Sequence, residues 1–256
     1  MEKGTREGEP NNLHLVDSEP IIETELRPEV QRLFDIIIRE NPELSATQVS
    51  IFTPNDIYDA GGFYTFEEVE EGVITPFIQM SAGGHEAYIP LLEIRKTSVS
   101  IIAKALKVEV NLVTSELLEL FILAHEMGHV KDFVSNYQSD PELNGWNASE
   151  EMDFHRHFIL GTLPIRNVSP TGLTGHLHDV TSLEEVLKVE PNLAKHPRFN
   201  EIKTVEDLIR VQEEEYRASE PERYADDFAA KFLNEHSEEL GLSLHEGVTE
   251  EAAIAA

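Results

Sequence analysis

The 256-residue chain contains no cysteine. Disulfide bonds and thiolate metal ligands are therefore excluded, and any zinc site must use histidine and carboxylate side chains. Basic residues are also scarce, since 20 Lys and Arg stand against 49 Asp and Glu and give a formal net charge of −29 at pH 7. So acidic a chain repels a nucleic-acid backbone or an anionic membrane, and we expect neither as a direct partner.

Long apolar runs are missing as well. No stretch approaches 18 uninterrupted apolar residues, and the first 20 residues are polar and acidic, without the apolar segment of a signal peptide. We therefore expect a cytoplasmic protein with no membrane span. Hydrophobic residues make up 40% of the chain, which is enough for one sizeable core.

The composition changes along the chain and predicts its organisation. Residues 1–25 are acidic and show no periodicity, so they are interpreted as a disordered tail. One domain is expected over 26–242, with a flexible C-terminal tail over 243–256. Within that domain, prolines and glycines break any long element over 134–200, which is interpreted as an insertion.

Apolar periodicity predicts an α+β fold: a small N-terminal sheet, then a helix with a His-Glu-x-x-His pattern, then further helices. Strands are predicted near 49–52, 62–66, 73–80 and 87–94. Helices are predicted near 27–41, 97–106, 115–133, 204–217 and 221–233, and the helix at 204 begins with a capping box of Thr204 and Asp207.

The His-Glu-x-x-His pattern spans His125 to His129 inside the helix predicted over 115–133. Residues four apart lie on one helix face, so both imidazoles can reach one metal ion. Glu126 is rotated one step from that face, where its carboxylate can act as a base on water at the metal. The alternative is that both histidines are structural and are satisfied by carboxylates in the core.

A catalytic zinc ion usually has three protein ligands, so a third is needed. Glu222 is the candidate, and Asp226, one helical turn further on, can orient a ligand histidine through a hydrogen bond. Two alternatives stay open. Glu222 also fits a capping box with Ser219, in which case it would not touch a metal. The third ligand, or a group that stabilises the oxyanion, can instead come from the histidines of the insertion: His155, His157, His176, His178 and His196.

The two helices together resemble those of the gluzincin metallopeptidases, in which the third zinc ligand is the glutamate of a Glu-x-x-Ala-Asp segment. The segments starting at Ala124 and at Glu222 are similar to those of the ImmA/IrrE-type and soluble HtpX-like metallopeptidases. The resemblance implies a zincin-like fold and a zinc-dependent endopeptidase with Glu222 as the third ligand.

These observations predict a soluble zinc metallopeptidase that hydrolyses peptide bonds of a protein or peptide substrate. His125, His129 and Glu222 are predicted to hold Zn²⁺, and Glu126 to act as the catalytic base. The alternative is a regulatory protein of the same fold that binds a partner protein and has little or latent proteolytic activity. Whether the insertion covers the site is not predicted.

Overall fold

The computed structural model describes residues 26–52, 61–70, 73–81, 83–136, 182–189 and 191–244. This part of the chain is mostly helical and contains one three-stranded sheet, so the predicted α+β class is confirmed. The strands are β1 (Gln48–Phe52), β2 (Gly62–Glu70) and β3 (Val73–Ser81). The helices are α1 (Pro28–Glu40), α2 (Ile89–Ile94), α3 (Lys96–Leu106), α4 (Ser115–Asn136), α5 (Leu183–Val189), α6 (Val205–Arg217), α7 (Glu220–Glu235) and α8 (Ser237–Leu240).

Strand β3 is the centre of the sheet, with β1 parallel to it on one side and β2 antiparallel on the other. Pro76 stands in this central strand, although proline has no N–H to donate to a neighbour. It is tolerated because β1 begins opposite Phe77, so Pro76 has only β2 beside it. In the described part of the sheet, β2 pairs with β3 and lies at one edge of the strand order.

The strand predicted over 87–94 is wrong. The chain forms a 3₁₀ turn (Gly84–Tyr88) followed by helix α2. Pro90 lies in the first turn of α2, where a missing N–H costs nothing and the fixed φ favours the helix. Tyr88 is fully buried, and its hydroxyl donates a hydrogen bond to the Gly61 carbonyl at 3.0 Å. Tertiary packing of Tyr88 therefore overrides the local preference of this apolar run for a strand.

The predicted long helices are confirmed, with ends that differ by a few residues. The capping box at the start of α6 is also present. The Asp207 backbone N–H donates to Thr204 Oγ1 at 3.1 Å, and the Thr204 N–H donates to Asp207 Oδ2 at 3.1 Å. Each of these bonds satisfies a backbone group that a helix start leaves open.

Helix α4 lies at the centre of the main hydrophobic core, between the sheet, α1 and α7, and α3 packs on α7. Burial of each large aliphatic side chain there contributes about 1.5–3 kcal/mol. The cluster includes Leu33 and Ile37 of α1, Ile78 and Met80 of β3, Ile102 and Leu106 of α3, Leu123 and Met127 of α4, and Ala229 and Leu233 of α7. The segment with the predicted histidine motif is therefore held on most of its sides by packed elements.

A second, smaller apolar cluster joins α5 to α6. It contains Val186, Leu193, Ile202, Leu208 and Val211. The described C-terminal end of the predicted insertion thus packs on α6. Most of that insertion, and both predicted tails except for 243–244, lie outside the described residues. No helix in the described ranges has the length and apolar character that a membrane span requires.

Candidate metal centre

Helix α7 crosses α4 at the histidine motif because small residues let the two backbones approach. A Cβ atom added at Gly128 would lie 2.8 Å from the Ala225 Cα and 3.1 Å from the Ala225 carbonyl oxygen. A Cβ atom does not normally approach another heavy atom closer than 3.0 Å, so any larger residue at position 128 would force the two helices apart. On α7, Glu222 and Asp226 flank Ala225 on the same buried face. The crossing therefore brings both carboxylates against the histidines of α4.

Three buried side chains meet at this crossing. The Nε2 atoms of His125 and His129 are 3.1 Å apart, and each lies 3.3 Å from an oxygen of Glu222, His125 from Oε2 and His129 from Oε1. The exposed fractions of the three residues are 6%, 4% and 1%. We call His125, His129 and Glu222 the ligand trio, because their atoms are close enough to hold one metal ion.

The distances within the ligand trio are compatible with one small metal ion. Each imidazole nitrogen lies 3.3 Å from a different oxygen of Glu222, and one donor atom from each of the three residues lies within 4.8 Å of the other two. Metal–ligand bonds of about 2.0–2.1 Å require donor atoms this close together. The residues present therefore fit a metal ion held by two imidazoles and one carboxylate.

Asp226 fixes the orientation of His125. Its Oδ1 lies 2.8 Å from His125 Nδ1. An ionised carboxylate can only accept, so His125 donates from Nδ1 and its Nε2 atom is directed to the centre of the trio. The predicted contact between Asp226 and a motif histidine is thus present.

Arg217, the last residue of α6, contacts both carboxylates of α7. Its Nη2 is 2.7 Å from Asp226 Oδ1, and its Nη1 is 3.5 Å from Glu222 Oε2. The side chain is 10% exposed. Nothing in the sequence pattern indicates this residue, because its role depends on how tightly the chain turns between α6 and α7.

The pKa values of Glu222 and Glu126 shift in opposite directions. Burial raises the pKa of the Glu222 carboxyl, but the charge of His129 and hydrogen bonds from both imidazoles hold it well below its usual range. For Glu126, burial dominates and raises the pKa, against the lowering effect of His125 and His129. Glu222 is therefore ionised, as a ligand must be, whereas Glu126 holds a proton more readily than an exposed glutamate.

The pKa of His125 shows the same competition. Burial lowers it, but hydrogen bonds to Asp226 and then Glu222 raise it to about 10. Without a metal, a proton on His125 thus compensates the buried carboxylates. A metal ion binding at Nε2 has to displace that proton.

Aromatic side chains surround the ligand trio. The Tyr64 ring of β2 stacks on His129 with ring centroids 4.8 Å apart, and Phe121 stacks on His125 at 6.3 Å. Tyr216 of α6 lies beside Glu222, and burial together with that carboxylate raises the pKa of its phenol well above the usual value. The sequence pattern did not predict Tyr64 or Tyr216 as neighbours of the site, because each comes from an element whose packing on α4 is not visible in the motif.

The capping alternative for Glu222 is not formed. Ser219 is the N-cap of α7 but makes no side-chain capping hydrogen bond. The Glu222 carboxylate is directed at the histidines of α4 instead.

Two further side chains near α6 and α7 lie away from the trio. His196, one of the histidines considered as a third ligand, has a side chain that is 7% exposed, and its Nε2 lies 3.1 Å from Glu215 Oε2, outside the ligand trio. Tyr224, two positions after Glu222, is 37% exposed, because α7 turns that position to solvent. The other histidines of the insertion, His155, His157, His176 and His178, lie outside the described residues.

No family model, curated protein or solved structure matches this chain.

Proposed function

We propose that the protein is a zinc-dependent metallopeptidase, an endopeptidase that hydrolyses peptide bonds of a protein or peptide substrate. The ligand trio carries this proposal, because two imidazoles and one carboxylate with an open fourth position form the donor set of catalytic zinc sites. Zinc suits this set better than the hard cations, which require more oxygen ligands. We expect the protein to be located in the cytoplasm and to carry zinc there.

The charges around the trio also favour a divalent cation. With ionised carboxylates and neutral imidazoles, Glu126, Glu222, Asp226 and Arg217 together carry a charge of −2, and without a metal it is a proton on His125 that offsets part of it. Buried charge of this size is costly unless it is compensated. A bound Zn²⁺ would neutralise it.

The residues of the site divide the chemical work. When bound, zinc supplies Lewis acidity, which activates a water molecule and polarises the scissile carbonyl. A carboxylate oxygen of Glu126 would take a proton from the attacking water and deliver it to the nitrogen of the leaving amine. Glu126 is outside the trio and its pKa is raised by burial, which suits a group that accepts and then returns a proton.

The position of β2 at an edge of the described sheet supports an extended substrate. Tyr64 in this strand stacks on His129, so the strand lies next to the metal centre. A peptide added along β2 would gain backbone hydrogen bonds irrespective of its side chains. Its scissile bond would then pass beside the ligand trio.

One observation favours the alternative, a regulatory protein that binds a partner and has little or latent activity. Glu126 is only 8% exposed and Glu222 1% exposed, so described residues alone already cover most of the site. Such a protein would bind zinc as tightly as a peptidase. It would not cleave peptides until the cover moves.

The test combines metal content with a base variant. The purified protein is expected to contain about one zinc per chain. Removal of the zinc with a chelator should abolish cleavage of a denatured protein substrate. Glu126→Gln should keep the zinc but lose cleavage by about 10²-fold or more.

The possible outcomes separate the candidates. Protein that takes up no zinc contradicts both functions. Zinc binding without any cleavage across a broad peptide library favours the regulatory alternative. Undiminished cleavage by Glu126→Gln would show that another group is the base.

A further inference from the structure

Arg217 touches the site from a third helix. Its guanidinium lies within 2.7 Å of Asp226 Oδ1 and 3.5 Å of Glu222 Oε2, although both carboxylates belong to α7 and Arg217 ends α6. It is the only cation paired with either carboxylate in the described part of the chain, apart from the histidines. Arg217 is therefore the one permanently charged partner of these two acids there.

A single oxygen links this guanidinium to a motif histidine. Asp226 Oδ1 accepts from His125 Nδ1 at 2.8 Å and from Arg217 Nη2 at 2.7 Å. A carboxylate held from two sides has little rotational freedom, and the imidazole bonded to it keeps both its tautomer and its ring plane. The orientation of His125 Nε2 thus depends on Arg217 through Asp226.

The second nitrogen of the fork acts on the third member of the trio. At 3.5 Å, the contact between Nη1 and Glu222 Oε2 is long for a hydrogen bond and is mainly an attraction between charges. It draws the carboxylate oxygen that faces His125, so the same side chain influences two of the three candidate ligands. A lysine ammonium has the charge but not the planar fork that spans two acceptors.

We propose that Arg217 is a positioning residue of the metal centre: it holds Asp226 and Glu222 in the arrangement that the ion requires, so that metal affinity depends on the fork as well as on the charge. This inference rests on the proposed zinc site. It concerns affinity and coordination geometry, and it holds whether the loaded protein is a peptidase or a regulatory protein.

The decisive variant is Arg217→Lys, which keeps the positive charge and removes the fork. Zinc affinity, measured by competition with a chromophoric chelator, should fall by about 10–100-fold, the usual effect of losing a group that orients a ligand. The visible absorption of the Co²⁺-substituted protein should change as well, because those bands report ligand geometry. Zinc affinity within about threefold of wild type and an unchanged Co²⁺ spectrum would overturn the proposal.

Arg210→Lys is the matched control on the same helix. Arg210 pairs with Asp207 and Glu214 on a partly exposed surface and has no contact with the ligand trio. Its replacement should leave zinc affinity and the Co²⁺ spectrum unchanged. An equal loss in both variants would show a general effect of α6 and would contradict a role specific to Arg217.

A double-variant cycle protects the test against loss of stability. If Arg217 acts through Asp226, then Asp226→Asn and Arg217→Lys together should lose less zinc affinity than the sum of the two single losses. Fully additive losses would overturn the pathway through Asp226. Circular dichroism of each metal-free variant checks that the fold is retained.

The outcomes for the two proposals differ. A wild type that binds neither zinc nor Co²⁺ refutes the proposed function itself. A wild type that binds both metals, together with an Arg217→Lys variant of unchanged zinc affinity, refutes only this inference.

Discussion

Helices α6 and α7 both begin with a hydroxyl residue that is followed three positions later by an acid: Thr204 and Asp207 in α6, Ser219 and Glu222 in α7. In α6 the two side chains form a complete capping box. In α7 the same pattern forms none, and the acid instead lies 3.3 Å from each motif histidine. The acidic residue of the same sequence pattern thus caps its own helix in α6 but contacts another helix in α7.

The surroundings of the two helix starts explain the difference. Asp207 remains partly exposed, and the backbone N–H groups beside it are the nearest donors, so it folds back on its own helix. Glu222 is buried against α4, where two imidazoles are available. A capping box contributes about 0.5–2 kcal/mol, which is less than the cost of leaving a buried carboxylate without a charged partner. Tertiary contact therefore decides between the two uses.

The largest expected effect separates the two acids directly. Glu222→Ala should weaken zinc binding by more than about 100-fold, since loss of a ligand exceeds the loss of a group that only orients one. Asp207→Ala, the matched change in α6, should leave zinc affinity unchanged. Chelator competition measures both. If Glu222→Ala binds zinc like the wild type, then the two helix starts do not differ in the way described above, and the third ligand must be sought elsewhere.

A smaller effect tests why Glu222 reaches the histidines. Gly128→Ala places a methyl group 2.8 Å from the Ala225 Cα, so α4 and α7 must separate. Overpacking of this kind costs about 1–3 kcal/mol, although alanine alone would favour a helix by about 1 kcal/mol over glycine. Urea denaturation should show a lower free energy of unfolding, and zinc affinity should fall in parallel. An increase in stability would mean that the crossing has room to spare and does not set the position of Glu222.

The smallest expected effect concerns the hydroxyl residues. Thr204→Ala should lower the free energy of unfolding by about 0.5–2 kcal/mol, because it removes the acceptor of the Asp207 N–H. Ser219→Ala should change it very little, since the Ser219 side chain makes no capping bond. Urea denaturation of both variants provides the comparison, and zinc affinity should be the same in each. Equal losses of stability would indicate that Ser219 caps α7 after all.

Regular periodicity and capping signals predicted most of what local chemistry determines. The bounds of α4 and α6 follow from apolar spacing and from Thr204, and the meeting of Glu222 with the motif histidines follows from two face patterns. The strand predicted over the short apolar run 87–94 was wrong for a physical reason. Such a run suits a strand or a buried helix equally well, and the burial of Tyr88 against Gly61 decides the matter.

The sequence pattern did not predict the residues that tertiary packing brings next to the ligand trio. Arg217 is five positions from Glu222, but an arginine at the end of a helix is ordinarily a partner for its last carbonyls. Tyr64 belongs to a strand whose register and pairing decide that it stacks on His129. Tyr224 lies two positions after Glu222, and the rotation of α7 that buries Ala225 turns it outward.

The contact between His125 and Asp226 joins residues that are 101 positions apart in the chain. A ribosome adds about 5–20 residues per second, so the two motif histidines exist for roughly 5–20 s before Asp226 and its helix are made. During that interval the nascent chain has only an incomplete ligand set. A metal ion that uses the whole ligand trio could therefore be held only after α7 has been made, so the timing of metal supply would matter more here than for a protein whose ligands lie on a single hairpin.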